Sequence, residues 1–203
     1  MPNEIAEQDF QGAAQAQATD AEIGARIRSL RRAKGLRLTE VAAQTGLSIG
    51  YLSQVERGIS SPSLRVLTTI AAPLGITYAE LFRTGAVDTA SDSIVVRRAE
   101  RGSLGLRGTG MEKQLLSPPG GSRLNLYEVV LQPGGASGED LYVHGGEEAG
   151  LILEGEMELT VEDRTWRLQT GDSFRFASGR PHRFRNPGAV TARVLWVNVS
   201  EPV

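Results

Sequence analysis

The side chains best placed to do chemistry lie between Leu36 and Leu64, in LRLTEVAAQTGLSIGYLSQVERGISSPSL. Residues Ile49–Arg57 have the spacing of a helix that turns Leu52 and Val55 toward a core and leaves Ile49, Gly50, Ser53 and Gln54 outside. Those outer residues suit the edge of a base pair. A glutamine amide pairs in bidentate fashion with adenine, and an isoleucine rests on a thymine methyl. Gly50 gives close approach and no hydrogen-bond readout. Arg37 and Arg57 carry guanidinium groups suited to phosphate. If such residues read bases, so sparse a set leaves much of the specificity to phosphate contacts and DNA shape.

The elements that must hold these residues are readable around them. A helix over Leu38–Thr45 points Leu38, Val41 and Ala42 inward, and Gly46 ends it in the left-handed conformation a glycine tolerates. Leu47 plugs the turn, Ser48 caps the next helix, and Gly58 stops it. A helix, a glycine-marked turn and a second helix is the geometry that lays the second helix in the DNA major groove. Upstream, Asp20 caps a helix over 21–34 with Ile23, Ile27 and Leu30 on one face. Downstream, Ser60–Ser63 makes a turn, and a fourth helix over Ser63–Leu74 buries Leu64, Leu67, Ile70 and Ala71. Pro73 is expected to distort its last turn. Thr77 caps a fifth short helix through Phe82.

At Ala42, Gly46, Leu47, Ser48, Leu52, Ser53, Glu56, Gly58, Pro62 and Leu64 the stretch resembles the lambda-repressor-like, or XRE, helix-turn-helix family. The resemblance implies a five-helix DNA-binding domain over residues 20–83. It implies base reading by Ser48, Ile49, Gly50 and Gln54, with Tyr51 and Ser53 nearby. It also implies that Arg31 pairs with Glu56, which makes Glu56 structural, since an unpaired carboxylate would repel phosphates. A domain of this size reads only a few base pairs, so a dimer on paired half-sites is expected.

Charge agrees with this division. The net charge of −2 conceals a net of +4 over residues 20–83 and −3 over 84–203, so only the first segment is set to meet a polyanion. Residues 1–19 hold three carboxylates and no Lys or Arg, and read as a disordered leader and not as a secretory signal. The absence of cysteine excludes disulfides and thiolate metal sites and fits a reducing cytoplasm. No apolar run is long enough for a membrane span.

Residues 84–93 are polar, glycine-containing and aperiodic, and read as a linker. From residue 94 onward short apolar runs (Ile94–Val96, Leu124–Leu131, Leu151–Leu153, Met157–Val161, Arg193–Val199) alternate with turn residues, the texture of an all-β sandwich or barrel. Met157, Leu159 and Val161 alternate with polar residues, and Leu124, Leu126 and Glu128 do so in part. Two segments, Tyr142-Val-His144-Gly-Gly-Glu-Glu148 and Gly171-Asp172 through Gly179-Arg-Pro181-His182 to Asn186, with Gly155 between them, resemble the two motifs of the cupin (jelly-roll, double-stranded β-helix) family. Carried over by position, that resemblance implies His144, Glu148 and His182 as metal ligands. Tyr142 stands where a further histidine is usual, and Ala177 where proline is common. Two imidazoles and a carboxylate with open positions suit Fe(II), Mn, Ni or Zn. The alternative is that each histidine only hydrogen-bonds inside the barrel. The interior is also the default effector pocket, with Tyr127, Phe174, Phe176 and Trp196 as lining and Arg123 or Arg175 as anion partners. Against this stands plain core packing of the aromatics.

The fold expected is thus α+β in two domains, a five-helix head on residues 20–83 and an all-β cupin barrel on residues 94–203. The function expected is a cytoplasmic, sequence-specific transcriptional regulator, not an enzyme. It would act as a homodimer on a double-stranded DNA operator, with a small-molecule or metal effector in the barrel. The alternative is a non-haem Fe(II) oxygenase or epoxidase using a His-x-x-x-Glu…His triad. In a third reading the barrel is a dimerisation platform without a ligand.

Overall fold

The computed structural model of the protein describes residues 17–18, 20–76, 81, 94–106, 108–118 and 122–200. Among them the N-terminal part holds four helices: α1 (Asp20–Ala33), α2 (Leu38–Thr45), α3 (Ile49–Glu56) and α4 (Leu64–Ala71). The expected fifth helix, Thr77–Phe82, lies outside the described residues except for Leu81, which is buried. The expected 84–93 linker also lies outside them.

The helix boundaries follow local chemistry. Gly46 ends α2 at φ 71°, and its N–H donates to the Ala42 carbonyl. Ser48 caps α3 and Ser63 caps α4, each accepting from a backbone N–H three residues on. Helix α4 is shorter than its pattern predicts. It stops at Ala71, because Pro73 has no N–H with which to continue the ladder. Ile23, Ile27, Val41, Leu52, Val55, Leu64, Leu67 and Ile70 are all nearly inaccessible and form the head's core.

Apart from a 3-10 turn at Arg98–Glu100, the remaining elements are strands: β1 (Gln17–Ala18), β2 (Ser103–Leu106), β3 (Met111–Leu115), β4 (Leu124–Leu131), β5 (Glu147–Glu154), β6 (Glu156–Val161), β7 (Arg164–Gln169), β8 (Ser173–Ala177), β9 (His182–Arg185) and β10 (Ala192–Val199). They make a seven-stranded sheet in the order β1-β2-β3-β4-β10-β5-β8 and a three-stranded sheet in the order β7-β6-β9. Isolated bridges Ala136–Arg185 and Tyr142–His182 join loops after β4 to β9. This two-sheet arrangement is consistent with a cupin barrel. Among the described residues no helix is long and apolar enough to cross a membrane.

Two expectations change, and the phase of one strand is added. Gln17 and Ala18, read as part of a disordered leader, pair in parallel with Ser103 and Leu104; the rest of that leader lies outside the described residues. Ile94–Val96 is not a strand; Ile94 and Val95 are exposed. Leu124, Leu126 and Glu128 do share a face, but it is the outer one. Asn125, Tyr127, Val129 and Leu131 are the buried residues of β4. Each face of this run carries three apolar residues and one polar one, so alternation alone could not say which phase faces the core.

Candidate nucleic-acid interface and metal centre

Helix α3 presents its outer residues as its spacing requires. Ile49 is 48% exposed, Ser48, Gly50, Gln54 and Arg57 are exposed, and Tyr51 and Ser53 are half-buried. The helix is anchored from behind by a bidentate pair. Arg31 Nε donates to Glu56 Oε1 at 2.5 Å and Arg31 Nη2 to Glu56 Oε2 at 2.9 Å. Arg31 Nη1 reaches the Leu36 carbonyl at 2.7 Å, so one guanidinium ties α1, the α1–α2 turn and α3 together. The bond to Glu56 raises the Arg31 pKa further, against the opposing effect of burial.

Gly24, a residue the sequence reading passed over, permits this contact. A Cβ there would sit 2.2 Å from the Val55 carbonyl oxygen. A lone glycine inside a run of good helix formers was the available signal.

Two outward side chains are already engaged. Ser60 Oγ donates to Gln54 Oε1 at 3.0 Å, and Arg57 Nε folds back to the Ser53 carbonyl at 3.1 Å. Arg37 is exposed, and its backbone N–H donates to Glu40 Oε2 at 2.6 Å as a cap for α2. Its guanidinium has no part in that cap.

In the barrel, the residues that the two motifs supply converge. His144 stands in the loop before β5, Glu148 is the second residue of β5, and His182 opens β9 in the other sheet. Their ligand atoms all lie within 4.8 Å of one another. The loops are stitched together. His144 N–H donates to the Ser178 carbonyl, Ser178 N–H to the Gly146 carbonyl, and Tyr142 and His182 exchange both backbone bonds.

The ring hydrogen bonds leave the cluster able to take a cation. His182 Nδ1 lies 2.8 Å from the Arg180 carbonyl and His144 Nδ1 lies 3.2 Å from the Gly145 carbonyl. A carbonyl only accepts, so both Nδ1 atoms carry hydrogen, which leaves each Nε2 to hold a proton or a metal ion. Both Nε2 atoms face a carboxylate: His144 Nε2 is hydrogen-bonded to Glu148 Oε1 at 3.1 Å, and His182 Nε2 is 3.2 Å from Glu148 Oε2. The buried His182 Nε2 and Glu148 Oε2 make no hydrogen bond with good geometry. Lone pairs facing each other repel unless positive charge stands between them. Adjacent ligands on an ion with bonds of about 2.1 Å are about 3.0 Å apart at right angles, which matches both separations. The residues fit a divalent metal.

Burial pushes the Glu148 pKa up, but hydrogen bonds from His144 and His182, and the charge these rings carry when protonated, outweigh it and hold the carboxyl well below its usual range. A metal ion would supply the same stabilisation. Tyr142 is buried with its ring 4.2 Å from that of His182, and burial followed by the Glu148 charge raises its phenol pKa well above normal. It is kept as a neutral phenol beside the centre.

The expected effector residues divide. Tyr127, Phe176 and Trp196 are buried inside, and Phe174 is half-buried. The rings pack on one another, with Phe174–Trp196 centroids 4.8 Å apart and Phe184–Trp196 centroids 4.6 Å apart. Arg123 is not an interior anion partner. It is exposed and donates to the Ser200 carbonyl. Arg175 is exposed on β8. Among the described residues the interior cation of this domain is Lys113, only 2% exposed, with its ammonium 4.2 Å from the Tyr127 ring centroid. Burial lowers its pKa to about 8 against the opposing pull of the Glu148 charge. The signal was present in Met111-Glu-Lys113-Gln-Leu115, where a lysine holds an inward place between two apolar ones.

Comparison with known proteins agrees with both halves. A helix-turn-helix family model matches residues 27–81 and a cupin domain model matches residues 127–198. The chain is 28% identical over 172 residues to the HTH-type transcriptional regulator PuuR of Escherichia coli, covering 85% of this chain and 91% of that protein. Among solved structures, an HTH_3 family transcriptional regulator from Vibrio cholerae superposes with a TM-score of 0.69 at 25% identity, over 90% of this chain and 97% of that one. The hydroxypropylphosphonic acid epoxidase of S. wedmorenis aligns at a TM-score of 0.45 and 22% identity, over 90% of this chain and 99% of that one.

Proposed function

The chain joins an XRE-type helix-turn-helix domain to a C-terminal cupin domain and is homologous to PuuR-type HTH regulators, and from that premise we propose that it is a metal- or ligand-responsive repressor or activator acting as a homodimer on paired DNA half-sites. The observation that carries this reading is the outer face of α3, held in place from behind by the buried Arg31–Glu56 pair. Gln54 and Ile49 read bases, Gly50 lets the backbone approach, and Ser48, Tyr51 and Ser53 flank them. Arg37 and Arg57 hold phosphates. In the barrel, His144, Glu148 and His182 hold a divalent ion, which would supply a Lewis-acidic centre with open positions for an effector. An effector regulates only if it binds one arrangement of the dimer better than another.

The test is pull-down of genomic fragments by the full-length protein at near-physiological salt, beside a Gln54→Ala/Arg57→Ala variant. A recurring pair of half-sites that the variant no longer enriches supports the reading. Fragments no more enriched than by non-specific binding would refute it.

A second reading, a non-haem Fe(II) oxygenase, is favoured by the His144–Glu148–His182 cluster itself. Oxygen consumption by Fe(II)-loaded protein, lost in Glu148→Gln, would establish it.

A further inference from the structure

The inner face of the larger sheet carries a continuous row of side chains. Leu115 of β3 is in register with Tyr127 of β4, Tyr127 with Trp196 of β10, Trp196 with Gly150 of β5, and Gly150 with Phe174 of β8. Lys113 lies on that same face, two residues from Leu115. Its ammonium is 4.2 Å from the Tyr127 ring centroid and 5.8 Å from that of Trp196. The Glu148 charge acts on it across the interior. Among the described residues, Lys113 and Glu148 are the only buried Lys, Arg, Asp or Glu of the sheet domain.

Charge balance follows from this pair. With neutral histidines and no ion, one positive and one negative charge cancel. A divalent ion at His144, Glu148 and His182 leaves the interior with two positive charges in excess, and unbalanced charge in a low-dielectric interior is strongly unfavourable. The loaded barrel therefore favours a ligand that brings negative charge. The buried Trp196 indole N–H makes no hydrogen bond among the described residues and offers a further donor.

We propose that the metal-loaded barrel binds a small carboxylate, held by the Lys113 ammonium on one side and by the metal centre on the other. A carboxylate suits this because its two oxygens can accept from an ammonium and ligate an ion at once. The proposal rests on the metal reading above.

The test separates the two. The chain has two tryptophans, so a full-length Trp166→Phe protein reports from Trp196 alone. Cobalt(II) is loaded and followed by its own absorption, and acetate, oxalate and acetamide are then titrated against Trp196 fluorescence. We expect saturable binding of acetate and oxalate, none of acetamide, and at least about a 30-fold loss of affinity in Lys113→Met with the cobalt spectrum retained. Lys113→Gln repeats the measurement with a polar group of similar length if the methionine variant does not fold. Cobalt bound with no carboxylate binding overturns the carboxylate proposal alone, as does acetamide binding equal to acetate or unchanged affinity in both lysine variants. Failure of cobalt to load overturns the metal reading and this proposal together.

Discussion

Replacing Glu56 with alanine should unfold the helical head at much lower temperature without touching any DNA-facing atom. The side chains of Arg31 and Glu56 are only 11% and 6% exposed, so the guanidinium would remain largely buried with only the Leu36 carbonyl as acceptor. Breaking a buried pair from one side costs about 3–5 kcal/mol. For a domain of this size each kcal/mol moves the melting temperature by about 4–8 °C, so a fall of roughly 12 °C or more is expected by far-UV circular dichroism. The double variant Arg31→Met/Glu56→Leu removes both charges and fills the space with apolar atoms, and should recover most of the loss. It should also bind the operator nearly as well as the original chain, because the pair acts by positioning α3. A fall below about 4 °C in Glu56→Ala would mean the pair is not buried in solution. A stable double variant that no longer binds would mean Glu56 or Arg31 contacts DNA, and would refute the positioning role.

Other outcomes can be checked directly. Lys113 has a folded-state pKa of about 8 against an ordinary value of 10.5, so between those values the unfolded chain binds more protons and stability rises with pH. The rise is absent below pH 8 and complete above 10.5, about 3 kcal/mol in all, and urea unfolding of metal-free protein should show it vanish in Lys113→Met. Gly146 has φ 104°, and a Cβ there would fall 1.9 Å from the Val199 carbonyl oxygen. Gly146→Ala should therefore displace the loop between His144 and Glu148 and weaken cobalt binding at least about tenfold, the equivalent of about 1.4 kcal/mol of backbone strain, as measured by competition with a chelator. Ser60→Ala frees the Gln54 amide, and competition with operators altered one base at a time should show discrimination at its base fall by up to about fivefold, one hydrogen bond of about 1 kcal/mol.

The sequence carried most of what depends on local chemistry. Ser48, Gly46 and Gly58 fixed the ends of α2 and α3 because capping and left-handed turns depend on residue type. That His144, Glu148 and His182 stand together was legible from the two motifs, since β-hairpin glycines and the spacing of these residues recur together. What escaped depended on contacts across the fold. The inward phase of β4 is set by pairing with β10 and not by its own nearly continuous apolar run. Arg123 reads as an anion partner by type, yet its position before β4 directs it to the Ser200 carbonyl. Lys113 escaped because lysine is expected outside, although its place between Met111 and Leu115 turned it inward.

The residues of the His–Glu–His cluster come from two different sheets, with Glu148 in β5 of the larger and His182 in β9 of the smaller. An ion held by both would act as a rivet across the mouth of the barrel, beside the backbone bonds of Tyr142 to His182 and of His144 to Ser178. Loading would then stiffen that rim more than either sheet. Amide hydrogens at Tyr142, His144, Ser178 and His182 should exchange more slowly with metal bound, while those in the middle of β10 change little. The rim, not the barrel body, would be the part of this domain whose rigidity reports the state of the site.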